Sequence, residues 1–321
     1  MSGTVPSAAT TRTRRGPAEL ALVGVTAIWD ITFPVVKTAL EGASPMAFAA
    51  VRMICAALLL ALLYRRELPR LGALEWRAGA VTGLLMTGGF AFQTIGLSLT
   101  TASKSAFLTG LSVILVPFLV AVLLRRLPRS GSWAGAVLAL SGLYLLAFFP
   151  ANGHWQTAWQ APNAGDLLTL ICALCFAGHI VAIGHYSPRV SFQALTVLLV
   201  AFCALFSTMA AAVLDWTRVE PAYFHASPGL WGAIAVTAVL ATALAFSVQA
   251  WAQRSTPATH AALIFALEPV FALGAAVWWR HEQVSGAQLW GCGLILAAIL
   301  LVEWMAARAG REEAAPTPIC G

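Results

Sequence analysis

Apolar residues run along this chain in ten long continuous stretches, separated by short polar breaks, at residues 19–38, 45–64, 74–94, 102–124, 133–149, 166–185, 192–213, 228–249, 256–278 and 286–306. A helix needs about 20 mostly apolar residues to cover a hydrocarbon core about 30 Å thick, and each stretch meets that length. The runs are continuous rather than alternating, which excludes the period-two pattern of a membrane β-barrel. Proline and glycine inside several of them do not break the reading, because neighbouring helices can satisfy freed backbone groups. The pattern predicts an all-α membrane protein of ten transmembrane helices.

Composition agrees. Of 321 residues, 60% are hydrophobic and only 10% charged, and the mean hydropathy is +0.81. A net charge of +6 is of a size seen in nucleic-acid-binding proteins, but here the basic residues flank apolar stretches instead of lining a soluble face, so no nucleic-acid partner is expected. With the N-terminus in the cytoplasm, Arg12, Arg14, Arg15, Arg65, Arg66, Arg70, Arg77, Arg125, Arg126, Arg129, Arg189, Arg254, Arg308 and Arg311 all fall inside, and Lys104, Arg218 and Arg280 outside. That asymmetry places both termini in the cytoplasm. The first stretch is read as a helix and not a cleaved signal peptide, because Asp30 and Lys37 interrupt it and it is long enough to span.

Cys55, Cys172, Cys175, Cys203 and Cys292 lie inside the apolar stretches and Cys320 in the tail. Cys172 and Cys175 have zinc-like spacing but no second ligand pair, so packing is the expected role and no metal or cofactor is implied.

The fourth and ninth stretches look like copies. Gln93 and Gln249 each close a preceding stretch, and threonine-led starts follow at Thr101 and Thr256, with Gly135 and Gly291 keeping the same offset of 155 or 156 residues. Five helices per unit is an odd number, so the second unit enters the membrane upside down. Two inverted five-helix repeats can exchange arrangements and open opposite faces, which is alternating access. The expected division is a disordered N-terminal tail at 1–17, a first repeat at 18–149, a periplasmic linker at 150–165, a second repeat at 166–307 and a cytoplasmic tail at 308–321.

Several pieces in order carry a family likeness: Trp29 through Lys37, Pro45 through Arg52, Thr100 through Gly110, Leu267-Glu268-Pro269, Glu282, and Gln288 through Gly291. Together they resemble the drug/metabolite transporter superfamily in its EamA-type branch of ten-helix permeases. The resemblance implies a bacterial inner-membrane permease, an exporter or exchanger of amino acids, nucleosides or other small metabolites. Where such proteins commonly have glycine after the tryptophan of the first span, this chain has Asp30.

Charged groups at mid-membrane cost about 2.5 to 3.5 kcal/mol on insertion scales and usually face a cavity or a partner. Asp30, Lys37, Arg52, His179 and Glu268 are the expected functional positions. Asp30 is read either as half of a buried ion pair with Lys37 or Arg52, or as a cavity-lining group for substrate binding or proton coupling. Glu268-Pro269 suits a gate or binding site, since the proline removes a backbone donor; Pro34 and Pro117 are the other expected kinks. His179 is a candidate proton carrier, and His260 an interfacial residue.

Trp29, Phe33, Phe90, Phe92, Gln93, Phe107, Trp251 and Phe265 are expected to line an organic-substrate pocket, Gln93 as its polar anchor. Trp133, Trp231, Trp278, Trp290 and Trp304 suit interfacial anchoring, and Trp155 and Trp159 a cover over the outer face. Gly83, Gly88, Gly89, Gly286, Gly291 and Gly293 are expected at close helix contacts. The expected partners are a small-molecule substrate, the lipid bilayer and protons as a candidate coupling ion; oligomeric state is left open. A metalloprotease motif, a nucleophile elbow and a phosphate loop are all missing from the sequence, which speaks against enzyme chemistry and ATP-driven pumping. The competing reading is a membrane sensor or scaffold, expected as a packed bundle without a polar crevice, or a lipid-handling protein, expected with a groove open sideways to the bilayer.

Overall fold

A computed structural model describes residues 8–100, 102–149, 162–280 and 284–312. Ten helical spans are long and apolar enough to cross a membrane: Gly16–Ala39, Pro45–Leu63, Ala73–Leu99, Lys104–Leu123, Ser130–Phe148, Ala164–Tyr186, Phe192–Trp216, Pro228–Ala252, Ala258–Ala275 and Gly286–Arg308. They are called the first to tenth spans below. Among the described residues no strand forms beyond an isolated bridge between Ala43 and Phe224.

Local sequence sets the span starts. Pro45 and Pro228 stand at the first helical position, where the missing N–H is not needed. Ser191 and Ser227 accept from the backbone N–H of Ala194 and Leu230 at 3.2 and 3.1 Å, and Asn163 and Asp166 cap each other's backbone at 3.0 and 3.1 Å.

The first helix begins at Ala8, inside the stretch expected to be disordered, and the last continues to Glu312, beyond the expected end of the second repeat at 307. Alanine and arginine are strong helix formers, so an established span propagates through them. Residues 1–7 and 313–321 lie outside the described residues, as do 150–161 of the expected linker, including Trp155 and Trp159, and His281 and Glu282.

Loops that alternating crossings put on one face touch there. Ser44 donates to the Tyr223 carbonyl at 3.0 Å, and His225 to that of Gly42 at 2.7 Å. The Tyr223 hydroxyl reaches the Leu40 carbonyl at 2.9 Å, while the Met46 N–H meets Glu220 Oε1 at 2.7 Å. On the opposite face Ser191 meets Glu67 at 3.3 Å.

The third span packs on the sixth and seventh, the second on the seventh, the fifth on the tenth, and the fourth on the sixth; the first and second spans both pack on the eighth, and the ninth on the first. Exchanging each span for the one five places away carries these main contacts onto one another. Detail follows the same rule. A methyl group added at Gly291 would lie 2.7 Å from the Gly142 carbonyl oxygen, and one added at Gly135 would lie 3.4 Å from that of Ala298. Gly135 and Gly291, like Gly142 and Ala298, stand 156 residues apart. Gly83, Gly88 and Gly89 likewise lie against the sixth and seventh spans, whereas Gly286 and Gly293 have open space and do not serve close packing.

Three spans are irregular. The fourth divides into Ala102–Gly110 and Ser112–Leu123, and the ninth into Ala258–Phe265 and Glu268–Arg280. The interrupting residues Leu111 and Leu267 are again 156 apart. Pro269 falls in the first turn of the second half-helix, where a proline costs no hydrogen bond. Pro117 lies buried beyond the break in the fourth span, inside the second half-helix, and Pro34 is exposed within an unbroken first helix. The eighth span widens into a π-helix over Thr237–Leu244, a distortion that often marks functional sites.

Candidate functional site

The first span reaches the middle of the bundle at Trp29 and Asp30. The Trp29 indole N–H donates to the Ala241 carbonyl in the widened stretch of the eighth span at 2.9 Å. Its ring packs against Phe265 and Phe246, with centroids 5.2 and 6.1 Å away. The Ala241 carbonyl lies within the π-helical stretch Thr237–Leu244, so this bond ties the first span to the irregular turn of the eighth.

Asp30 is 8% exposed. It pairs with neither Lys37 nor Arg52, so the expected buried ion pair does not form. Lys37 lies two helical turns further along and is exposed, and the Arg52 guanidinium is held between rings, 5.7 Å from the centre of Phe48 and 5.6 Å from that of Phe90. The group within electrostatic reach of Asp30 is another carboxylate, that of Glu268. Glu268 opens the second half of the ninth span and is accessible although protein surrounds it. Arg52 Nε is buried with no hydrogen-bond partner.

His179 lies at the interface of the third, sixth and eighth spans. Its Nδ1 contacts the Thr82 carbonyl at 2.9 Å, and its ring meets Phe246 edge-on at 6.0 Å. Nε2 approaches Gln249, yet neither Nε2 nor Gln249 Oε1 completes a bond of normal geometry. Gln249 donates to Gln253 at 3.1 Å, and Gln253 to the Ile180 carbonyl at 3.0 Å.

The expected aromatic pocket divides. Trp29 and Phe265 share one cluster, while Phe90 packs on Phe176 near Arg52. Phe107 sits apart, packed on Tyr144 and Phe148, and Trp251 is exposed. Gln93 and Phe92 are half-buried. The Phe33 and Trp278 side chains fall outside the described residues. Trp231, Trp290 and Trp304 face outward. Cys172 and Cys203 are buried among helices and Cys175 packs against Gly88.

Sequence reasoning missed two charged clusters. Lys104 Nζ meets Asp166 at 2.6 Å, and Thr100 donates to the same carboxylate at 2.5 Å. His260, expected as an interfacial residue, instead contacts Glu303 at 2.7 Å and lies 3.7 Å from Glu19. Candidate ligand atoms of these three residues fall within 4.8 Å of one another, a spacing open to a divalent cation. Each partner comes from a different span, so the pairing is invisible until the bundle is assembled.

A helical bundle with two broken spans, in which the first, eighth and ninth bring carboxylates and aromatic rings together, has the architecture of a secondary transporter. The chain belongs to the EamA-like transporter family, whose model matches residues 16–148 and again 163–304. It is 33% identical over 285 residues to an uncharacterized transporter of Archaeoglobus fulgidus, covering 89% of this chain and 85% of that one. Over 157 residues it is 30% identical to the S-adenosylmethionine/S-adenosylhomocysteine transporter of Chlamydia muridarum, 47% of this chain and 48% of the relative. A protein of known crystal structure shares the fold with a TM-score of 0.72 at 19% identity, over 92% of this chain and 99% of the other. The protein is a multi-pass membrane transporter.

Proposed function

We propose that this transporter sits in a bacterial inner membrane with both termini cytoplasmic, and exports or exchanges a small metabolite carrying an ammonium or sulfonium centre. Amino acids and S-adenosylmethionine belong to that class. The observation that carries the reading is the convergence of Asp30 and Glu268 beside Trp29, Phe246 and Phe265. Two like charges in a low-dielectric site repel, and a cation between them relieves that cost. The aromatic faces add cation–π attraction, and Arg52, unpaired in this structure, suits a substrate carboxylate. The Chlamydia relative named for S-adenosylmethionine favours the same class.

Alternating access between two inverted halves, at 18–149 and 166–307, is the mechanism we infer. The paired breaks at Leu111 and Leu267 and the exchangeable helix contacts support it. Protons are the inferred coupling ion. The chain from Thr82 O through His179, Gln249 and Gln253 to Ile180 O ends in a carbonyl acceptor on both sides, so it lacks one donor hydrogen while the imidazole is neutral. A proton on His179 completes it.

Counterflow in proteoliposomes tests the reading. Liposomes loaded with unlabelled S-adenosylmethionine or an amino acid should accumulate the labelled compound, and an imposed pH gradient should change the rate. Exchange confined to anionic metabolites would overturn the substrate class.

A further inference from the structure

We infer that Lys104–Asp166 and His260–Glu19 are the two gates of this transporter, equivalent latches that close opposite faces of the membrane. The inference rests on the alternating-access reading above and adds the residues that hold each side shut.

His260 follows Lys104 by 156 residues, the separation already seen between Gly135 and Gly291. Asp166 follows Glu19 by 147 residues, as residue 163 follows residue 16 at the starts of the two family-model matches. Exchanging the halves therefore turns one pair into the other. Lys104 and Asp166 open the fourth and sixth spans; His260 and Glu19 open the ninth and the first, on the opposite face. Both pairs are poorly hydrated: side-chain exposures are 12% and 11% for Lys104 and Asp166, 9% and 15% for His260 and Glu19.

Each latch has a third polar partner, Thr100 on one face and Glu303 on the other. Each also has a seam of small residues beside it. A methyl group added at Gly165 would lie 2.7 Å from the Gly96 carbonyl oxygen. The same two offsets convert Gly96 to Ala252 and Gly165 to Ala18, both buried in one apolar cluster. Helices that approach this closely leave no passage, so the face opens only when the spans separate and the ion pair breaks. A cavity of about 700 Å³ beside His260, lined by Arg126, Arg129, Val302 and Met305 among others, gives the second latch room to move.

In a cysteine-free background, Gln93→Cys and Ala258→Cys, the latter in the wall of the cavity beside His260, report on the two faces by their reaction with a membrane-impermeant maleimide in vesicles of each orientation. Asp166→Asn should speed labelling at position 93 and slow it at position 258. Glu19→Gln should do the reverse, each by about fivefold, the lower end of an allosteric coupling. The charge exchange Lys104→Asp with Asp166→Lys should restore the parent ratio, which separates a latch from a folding defect. Equal shifts at both reporters, no shift, or no restoration by the exchange would overturn the gates. The readout needs no substrate, so a wrong substrate class would show as absent flux with the labelling shifts intact.

Discussion

The indole of Trp29 is bonded to the carbonyl of Ala241 at 2.9 Å, joining the first span to the widened turn of the eighth. Trp29→Phe keeps the ring contacts with Phe246 and Phe265 and deletes only the donor. An interhelical hydrogen bond in a membrane contributes on average about 0.6 kcal/mol. The variant should therefore fold, melt slightly lower in detergent, and lose transport rate more than stability if the turn moves during the cycle. Thermal denaturation and flux measured on one preparation check this.

The proposed substrate site takes Asp30 and Glu268 together, so their neutral variants should not be additive. Asp30→Asn or Glu268→Gln is expected to weaken binding of a cationic substrate about tenfold, or about 1.4 kcal/mol, and the double variant by less than the product of the two. Equilibrium binding to purified protein measures it. Independent, multiplicative losses would place the two carboxylates at separate sites.

Gly291 faces the Gly142 carbonyl with no room for a methyl group. Gly291→Val should destabilise the protein by about 1 to 3 kcal/mol through overpacking. Gly293→Ala, two residues on with nothing within 4 Å, should be silent. Yield of monodisperse protein after heating reads the difference.

Glu220 lies outside the spans and caps the second one through the Met46 N–H. Burial pushes its carboxyl above the ordinary value of 4.5, against a smaller downward pull from that N–H. A group with a raised folded-state value binds its proton more tightly folded than unfolded, so it stabilises less as pH climbs. The melting temperature should fall as pH rises from about 4.5 through the raised value, a window set by the cited shift. Glu220→Gln keeps an acceptor for Met46 and should flatten that slope.

The ten spans were legible because each is a long apolar run bounded by arginines, serines or prolines, and the duplication because Gln93, Gln249, Gly135 and Gly291 hold one spacing. Trp29 and Phe265, both aromatic residues of the expected pocket, pack against each other. The Asp30 pairing was not legible: spacing along one helix nominated Lys37, whereas the interacting group sits on the ninth span. Phe107 packs apart from Trp29 and Phe265, on Tyr144 and Phe148, because hydrophobicity records depth in the membrane and not which neighbour a helix face meets. The latches depend on contacts between spans far apart in sequence, and Glu19 and His260 read singly look like ordinary span ends.

The two ends of the molecule have diverged: glycine at 96 and 165 is matched by alanine at 252 and 18, and lysine at 104 by histidine at 260. Identical halves would make inward- and outward-facing shapes mirror-equal in energy, with an unbiased carrier idling half its time on each side. Under the alternating access proposed above, unequal seams lift that degeneracy, so the empty carrier would rest with one face favoured.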